Sequence, residues 1–196
     1  MKRGILTACV IGCCMFGSLS LAQDAATDIG ALEVRAEAGD TRALTDLGRA
    51  YLYGDGVEID TVLALSYFQQ ADAAGDMKAP RFLGLIALES GDTAEAAIWF
   101  AKGAENGDIT SQYYLGRAYQ TGEGVEQDFA LAMQWYETAA TRGDLIASDG
   151  MVGMASLYEA GQGVEVDLDR AIALYTQAAG LGNETAQAAL DRISSQ

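Results

Sequence analysis

A short internal repeat governs what this chain can fold into. Gly-Asp recurs at Gly39-Asp40, Gly75-Asp76, Gly107-Asp108 and Gly143-Asp144, at spacings of 36, 32 and 36 residues. The interior of each unit recurs with it. Leu47-Gly48, Leu83-Gly84 and Leu115-Gly116 stand at one distance beyond Gly-Asp, and Tyr51 and Tyr119 follow four residues after the leucine. A loop then appears as Gly54-Asp55-Gly56-Val57, Gly122-Glu123-Gly124-Val125 and Gly161-Gln162-Gly163-Val164. An aspartate closes each loop (Asp60, Asp128, Asp167), and unit two, which lacks the loop, goes straight to Asp92. Four and eight residues later come Ala64, Ala96, Ala132 and Ala171, then Phe68, Phe100, Tyr136 and Tyr175. A period of this size marks a supersecondary unit that cannot bury its apolar face alone, so that neighbours must stack.

Each unit reads as two helices. Ala43, Leu47 and Tyr51 fall at i, i+4 and i+8, one face of a first helix. Ala132, Trp135, Tyr136 and Ala139 fall at i, i+3, i+4 and i+7 of a second. Asp60, Asp92, Asp128 and Asp167 are placed to cap the second helices, with Glu95 three residues after Asp92 as in a capping box. The glycine loop supplies the turn, and its valine can enter the core. Glycine inside a helix costs about 1 kcal/mol against alanine. Gly48, Gly84 and Gly116 are therefore expected where two helix backbones approach closely. Tyr51, Tyr119, Trp99 and Trp135 are expected in the core. The fold class that follows is all-α, a right-handed α-solenoid of four helix-turn-helix repeats at about 39–74, 75–106, 107–142 and 143–182. A leading segment, 23–36, carries a helix pattern from Asp28 to Ala38. Residues 183–196 close the solenoid with Ala186, Ala189, Leu190 and Ile193 on one side of a capping helix.

The first 22 residues are of another kind. Lys2 and Arg3 precede an uncharged, mostly apolar run from Ile5 to Leu21, and Ser20-Leu21-Ala22 offers small residues where a signal peptidase reads. The expectation is a signal peptide cleaved after Ala22, hence a periplasmic or secreted protein with no membrane span after cleavage. Two alternatives stay open. One is an uncleaved anchor, for which the run is short. The other is lipid anchoring at Cys13, because Val10-Ile11-Gly12-Cys13 resembles a lipoprotein motif, although the apolar run continues past it. All three cysteines, Cys9, Cys13 and Cys14, lie in this segment, so the mature chain is expected to have no disulfide.

Charge and composition exclude most chemistry. The net charge is −16, and losing Lys2 and Arg3 makes the chain more acidic still. Such a chain repels phosphate backbones and anionic lipid, which removes nucleic acid as a partner and favours a protein surface. There is no histidine, which removes the commonest general base and most zinc sites. No cysteine nucleophile remains after cleavage, and no Ser-x-x-Lys or phosphate-binding glycine motif occurs. Carboxylate pairs are left, as glycosidic cleavage needs only two, and Asp167 with Asp169 or Asp55 with Asp60 invite a calcium reading. No full calcium loop follows, and helix capping explains these acids more simply. No enzyme, cofactor or metal is expected.

The combination of Leu-Gly, tyrosine, Gly-x-Gly-Val, aspartate, Ala-x-x-Trp-Tyr and a closing Gly-Asp resembles the Sel-one-like repeat, a relative of tetratricopeptide repeats. The resemblance covers about residues 37–182. Units one and three match best. Unit two carries Ala87 for the tyrosine, and unit four has Met154-Ala155 for Leu-Gly with an insertion near Ser148 to Met151. The resemblance implies an adaptor that brings proteins together, with exported bacterial members associated with envelope signalling, polysaccharide export and cell-wall recognition. The cysteine-rich branch has a disulfide in each unit. Its reported activity on penicillin-like compounds is not carried over to a chain without one.

By analogy with tetratricopeptide repeats, the first helices line the concave face. Arg42 and Lys78 share one repeat position there, Thr45, Arg81 and Tyr113 a second, and Arg49 and Arg117 a third, with Leu85 between them in unit two. Together they form a strip with positive charge suited to an acidic or carboxylate-bearing segment of a partner. The plainer alternative is that the arginines pair with nearby acids, as Asp46 with Arg49. The function expected is that of an exported, non-enzymatic interaction adaptor or regulator in the bacterial envelope. The alternatives are a binder of cell-wall glycan or peptide and a cell-wall or β-lactam hydrolase. The partner's identity, the oligomeric state and the choice between groove and end surface stay open.

Overall fold

The computed structural model describes residues 28–195, in which every regular element is helical. The expected leader, the expected cleavage after Ala22 and the three cysteines lie outside the described residues. Ten helices follow in order among the described residues: α1 (Ile29–Glu37), α2 (Thr41–Tyr53), α3 (Thr61–Ala73), α4 (Ala79–Glu89), α5 (Thr93–Glu105), α6 (Ile109–Thr121), α7 (Phe129–Ala140), α8 (Ser148–Ala160), α9 (Leu168–Gly180) and α10 (Glu184–Ser194). Helices α2/α3, α4/α5, α6/α7 and α8/α9 are the hairpins of the four repeats. Each helix packs on its neighbours in sequence. First helices of adjoining repeats also touch, α4 with α6 and α6 with α8, whereas no pair of second helices makes comparable contact. The first helices therefore line the inner side of the arc.

The caps start where the sequence places them. Asp60, Asp92, Asp128 and Asp167 accept the backbone N–H groups of Leu63, Glu95, Leu131 and Arg170 at 2.9, 2.9, 3.0 and 2.9 Å. The backbone N–H of each cap closes its hairpin on the first helix. Asp60, Asp128 and Asp167 donate to the carbonyls of Tyr51, Tyr119 and Tyr158, and Asp92 donates to Ala87 at 2.9 Å. Unit two thus keeps the closing bond without the glycine loop. The Asp92–Glu95 capping box is only half made: Glu95 Oε1 accepts from Trp99 Nε1 at 3.1 Å, and the Asp92 N–H is already spent on Ala87. Two of the Gly-Asp aspartates prove to be further caps: Asp40 and Asp108 start α2 and α6, as Asn183 starts α10. Asp76 and Asp144 instead accept from Lys78 and Ala147, at 2.8 and 3.0 Å, in the turns ahead of α4 and α8, which begin without a side-chain cap. The insertion of unit four is a turn at 145–147, just ahead of the stretch expected, so that α8 begins at Ser148.

The repeated glycines have a different cause from the one the sequence suggests. A ring, not a backbone, covers them. A Cβ at Gly48, Gly84 or Gly116 would come within 2.6, 2.7 or 2.8 Å of the rings of Phe68, Phe100 and Tyr136, which are at most 2% exposed. Two of these rings stack on a ring of the next repeat, Phe68 on Phe82 and Phe100 on Tyr114, both at 4.7 Å. In repeat four Gly153 stands where Phe82 and Tyr114 stand in repeats two and three, and Tyr136 lies directly against it, 2.6 Å from where a Cβ would be. A close backbone approach exists in repeat four, at Gly150, five residues before the position of the repeated glycines, where the other repeats have the buried Ala43, Ala79 and Ser111. A Cβ at Gly150 would fall 2.6 Å from the Tyr136 carbonyl oxygen. Tyr51, Tyr119, Trp99 and Trp135 pack half-buried against the core clusters. The loop glycines take positive φ, 78° at Gly122 and 80° at Gly124, and the Gly124 Cα rests on the Thr93 carbonyl at the start of the preceding repeat's second helix.

Candidate functional site

On the inner side, α2, α4 and α6 share a shallow groove. Arg49 and Tyr53 come from α2, Arg81, Phe82 and Leu85 from α4, and Thr110 and Tyr114 from α6. Helical periodicity explains the set: Arg49 and Tyr53 lie four apart, as do Arg81 and Leu85, and Thr110 and Tyr114. The floor is rigid, because Phe82 and Tyr114 are the rings stacked on Phe68 and Phe100. The cations above it are held unequally. Arg81 donates from Nη1 to Asp108 Oδ1 at 3.2 Å and to Thr110 Oγ1 at 3.3 Å, and sits over the Phe82 ring at 4.6 Å. Asp108 is 8% exposed on its side chain, so this ion pair ties repeat two to the cap of repeat three. Arg49 reaches Asp46 at 3.5 Å with both side chains largely exposed. Arg117 reaches Glu123 only at 3.8 Å and lies over Tyr114 at 5.4 Å. Exposed pairs of this kind are worth about 0–1 kcal/mol. Arg49 and Arg117 are therefore free to exchange their acids for a carboxylate brought by another molecule.

The strip expected from the sequence divides. Arg49 and Arg81 meet in the groove, and Arg117 stands at its margin beside Tyr114. Arg42 and Lys78 are exposed at the starts of α2 and α4, on the edge of the solenoid. Thr45 is not in the groove. It is 4% exposed, and its Oγ1 has no hydrogen-bond partner among the described residues. Threonine is too short to reach past the surface from a position where Arg81 extends its stem and snorkels to Asp108. Tyr113 is half-buried, edge-on to Tyr114 at 5.4 Å and tilted on Tyr136 at 5.9 Å. Burial pushes its phenol up, Asp149 adds to the shift and Arg117 opposes it. Tyr53, Phe82 and Tyr114 are groove residues that the repeat pattern alone does not single out. Extending the face of Arg49 by one helical turn finds Tyr53, and Phe82 and Tyr114 share one repeat position, where repeat one has Asp46.

A recess beside the groove, between Leu88, Ala97, Tyr114 and Arg117, has room for about one water molecule, about 10 Å³, and is too small for a ligand. Among the described residues no group of three or more metal-binding side chains gathers, and no helix is long and apolar enough to cross a membrane.

Known proteins place this architecture. The Sel1 repeat matches residues 41–76, 82–108, 109–144 and 148–183. The chain is 34% identical over 137 residues to the chitin synthase regulator SKT5 of Saccharomyces cerevisiae, covering 62% of this chain and 19% of that protein. It spans a fifth or less of the length of the curated relatives it matches first. Among solved structures, a Sel1 repeat protein from Oxalobacter formigenes superimposes with a TM-score of 0.75 at 29% identity, over 83% of this chain and 65% of that one. A protective antigen with an SLR fold, present in uropathogenic Escherichia coli strains, superimposes with a TM-score of 0.70 at 32% identity, over 84% of this chain and 36% of that one. With more than half of its length matched repeat by repeat, the chain belongs to the Sel1 repeat family.

Proposed function

We propose that this chain is an exported, non-enzymatic adaptor of the bacterial envelope that holds a segment of a partner protein on its inner face. The observation that carries the reading is the groove shared by three repeats, with a fixed aromatic floor and two loosely engaged arginines, Arg49 in the groove and Arg117 at its margin. Preorganised rings and exchangeable cations suit an extended segment carrying acidic and apolar side chains. The N-terminal run supports export, and the absence of histidine supports a binding role over hydrolysis. The yeast relative, by its name, regulates another protein, which agrees with an adaptor reading.

The test is photo-crosslinking of the mature protein in envelope extract, with the label at Tyr53 and then at Leu85. One discrete protein adduct at both positions, identified by mass spectrometry and lost in the Arg49→Ala plus Arg117→Ala variant, is the expected result. Retention on purified cell wall without a protein adduct would replace the reading with glycan or wall-peptide binding. Turnover of a labelled wall fragment or a β-lactam would overturn the non-enzymatic assignment.

A further inference from the structure

The solenoid has two unlike edges, and the three-residue insertion of repeat four reshapes one of them. Helices of 13 residues are about 20 Å long, so the edges lie that far apart. At the edge where first helices begin, the turns joining the repeats form a cleft of about 230 Å³ whose lining includes Met77, Lys78, Arg81, Asp108, Arg142 and Ile146. The three-residue insertion shapes one wall, leaving Leu145 54% and Ile146 53% exposed, and Met77 opposite is 62% exposed. Three of the chain's twelve basic residues meet here. Lys78 has no ion-pair partner among the described residues. Arg81 and Arg142 are bonded to Asp108 and Asp144 but keep unused N–H donors.

The opposite edge of repeat four carries the complement. Glu165-Val166-Asp167-Leu168-Asp169 is exposed throughout, with Val166 at 62% and Leu168 at 49%. Its three carboxylates make no ion pair among the described residues. Asp167 spends one oxygen on the cap of α9, and the neighbouring Arg170 is folded back over Tyr158 at 4.7 Å. Acids alternate with apolar side chains in this strip, and cations alternate with apolar side chains in the cleft.

We propose that the cleft docks the Glu165–Asp169 strip of a second copy of this chain, so that copies associate head to tail. The charge argument selects this occupant. Two chains of net charge −16 repel over most of their surfaces, and the cleft is where a carboxylate-bearing strip meets cations instead. The two surfaces lie on opposite edges of one molecule, so the contact is heterologous. It leaves a free cleft at one end of a dimer and a free strip at the other, and growth continues unless the rotation closes a ring. The cleft shares Arg81 and Thr110 with the inner groove, but the strip and the residues Lys78 and Ile146 lie outside it.

Sedimentation of the purified protein tests this. The wild type should show a mass that rises past the dimer with concentration. The cleft variant Lys78→Glu plus Ile146→Glu, and the strip variant Glu165→Lys plus Val166→Lys, should each weaken association by about tenfold or more while keeping wild-type circular dichroism. The strip variant also lowers the net negative charge, so general self-repulsion predicts stronger association for it, the opposite result. Equimolar mixing of the two variants should restore a dimer and nothing larger, because one supplies the intact strip and the other the intact cleft. A monomeric wild type from micromolar to millimolar concentration would overturn the proposal, as would association unchanged in either variant.

Discussion

Replacing Gly116 by alanine sets two forces against each other with known sizes. Helix propensity alone favours alanine by about 1 kcal/mol. The new Cβ, however, would stand 2.8 Å from Cδ1 and Cε1 of Tyr136 and 3.3 Å from the Ala132 carbonyl oxygen. Ordinary carbon contacts begin at about 3.5 Å, so the ring must retreat by roughly 0.7 Å. It has nowhere to go. Tyr136 is 1% exposed, its hydroxyl donates to Gln120 Oε1 at 2.7 Å, and its other face abuts the backbone at Gly153. Overpacking of this sort costs about 1–3 kcal/mol, leaving a net loss of about 1 kcal/mol. Gly180 is the internal control. It ends α9 in helical conformation, and a methyl group there would meet no atom within 4 Å, so Gly180→Ala should gain up to about 1 kcal/mol. In a chain of this size each kcal/mol moves the melting midpoint by about 2–4 °C. Thermal and urea unfolding, followed by circular dichroism and by Trp99 and Trp135 fluorescence, reads both variants and shows whether repeats separate on unfolding. A Gly116→Ala protein that melts as high as Gly180→Ala would refute the ring-over-glycine account.

Three further outcomes follow from the same geometry. Asp128→Ala removes the carboxylate that accepts from both Ala130 and Leu131, and should lower stability by about 1 kcal/mol in urea titration. Thr45→Val deletes a buried hydroxyl that has no partner and keeps the shape, so the midpoint should hold or rise, and a loss above about 1 kcal/mol would reveal a bond to that hydroxyl. The Arg192 guanidinium and the Tyr175 hydroxyl hold the Glu159 carboxyl below its ordinary value of 4.5. A depressed folded pKa contributes stability that is present above that value and lost as pH falls through the folded one. Glu159→Gln should therefore be less stable than wild type at neutral pH and converge with it in acid, as thermal melts across pH will show.

Periodicity and local chemistry made the fold legible. A short carboxylate at a fixed offset before an apolar run has one common use, and Asp60, Asp92, Asp128 and Asp167 all serve it. What covers Gly48 was not legible, because a one-dimensional pattern shows that space is short but not whether a ring or a backbone fills it. The site was harder to read for a related reason. A repeat position fixes a direction from the helix, not an environment. Thr45 and Arg81 share a position, yet one hydroxyl is buried and one guanidinium reaches the next repeat's cap. The position of Phe82 and Tyr114 holds Asp46 in repeat one and Gly153 in repeat four, so the aromatic floor is a property of two repeats and no consensus shows it.

That floor has two jobs, and a pair of variants separates them from the work of the rim. Phe82 is 4% exposed, stacks on Phe68 and lies under Arg81, so Phe82→Ala should remove about 3–5 kcal/mol of stability along with any binding. Tyr53 is 60% exposed at the end of α2 and belongs to none of the stacked pairs. Tyr53→Ala should leave the stability within about 0.5 kcal/mol of wild type, as surface changes do. Moving the crosslinking label to Leu85 then reads binding alone. If the groove holds a partner segment, the Tyr53→Ala protein loses most of its Leu85 adduct at unchanged stability, because an exposed aromatic at a groove end contributes by being covered. An undiminished adduct in Tyr53→Ala, with loss only in the destabilised Phe82→Ala protein, would mean that the rings hold the repeats together and that the partner is gripped elsewhere.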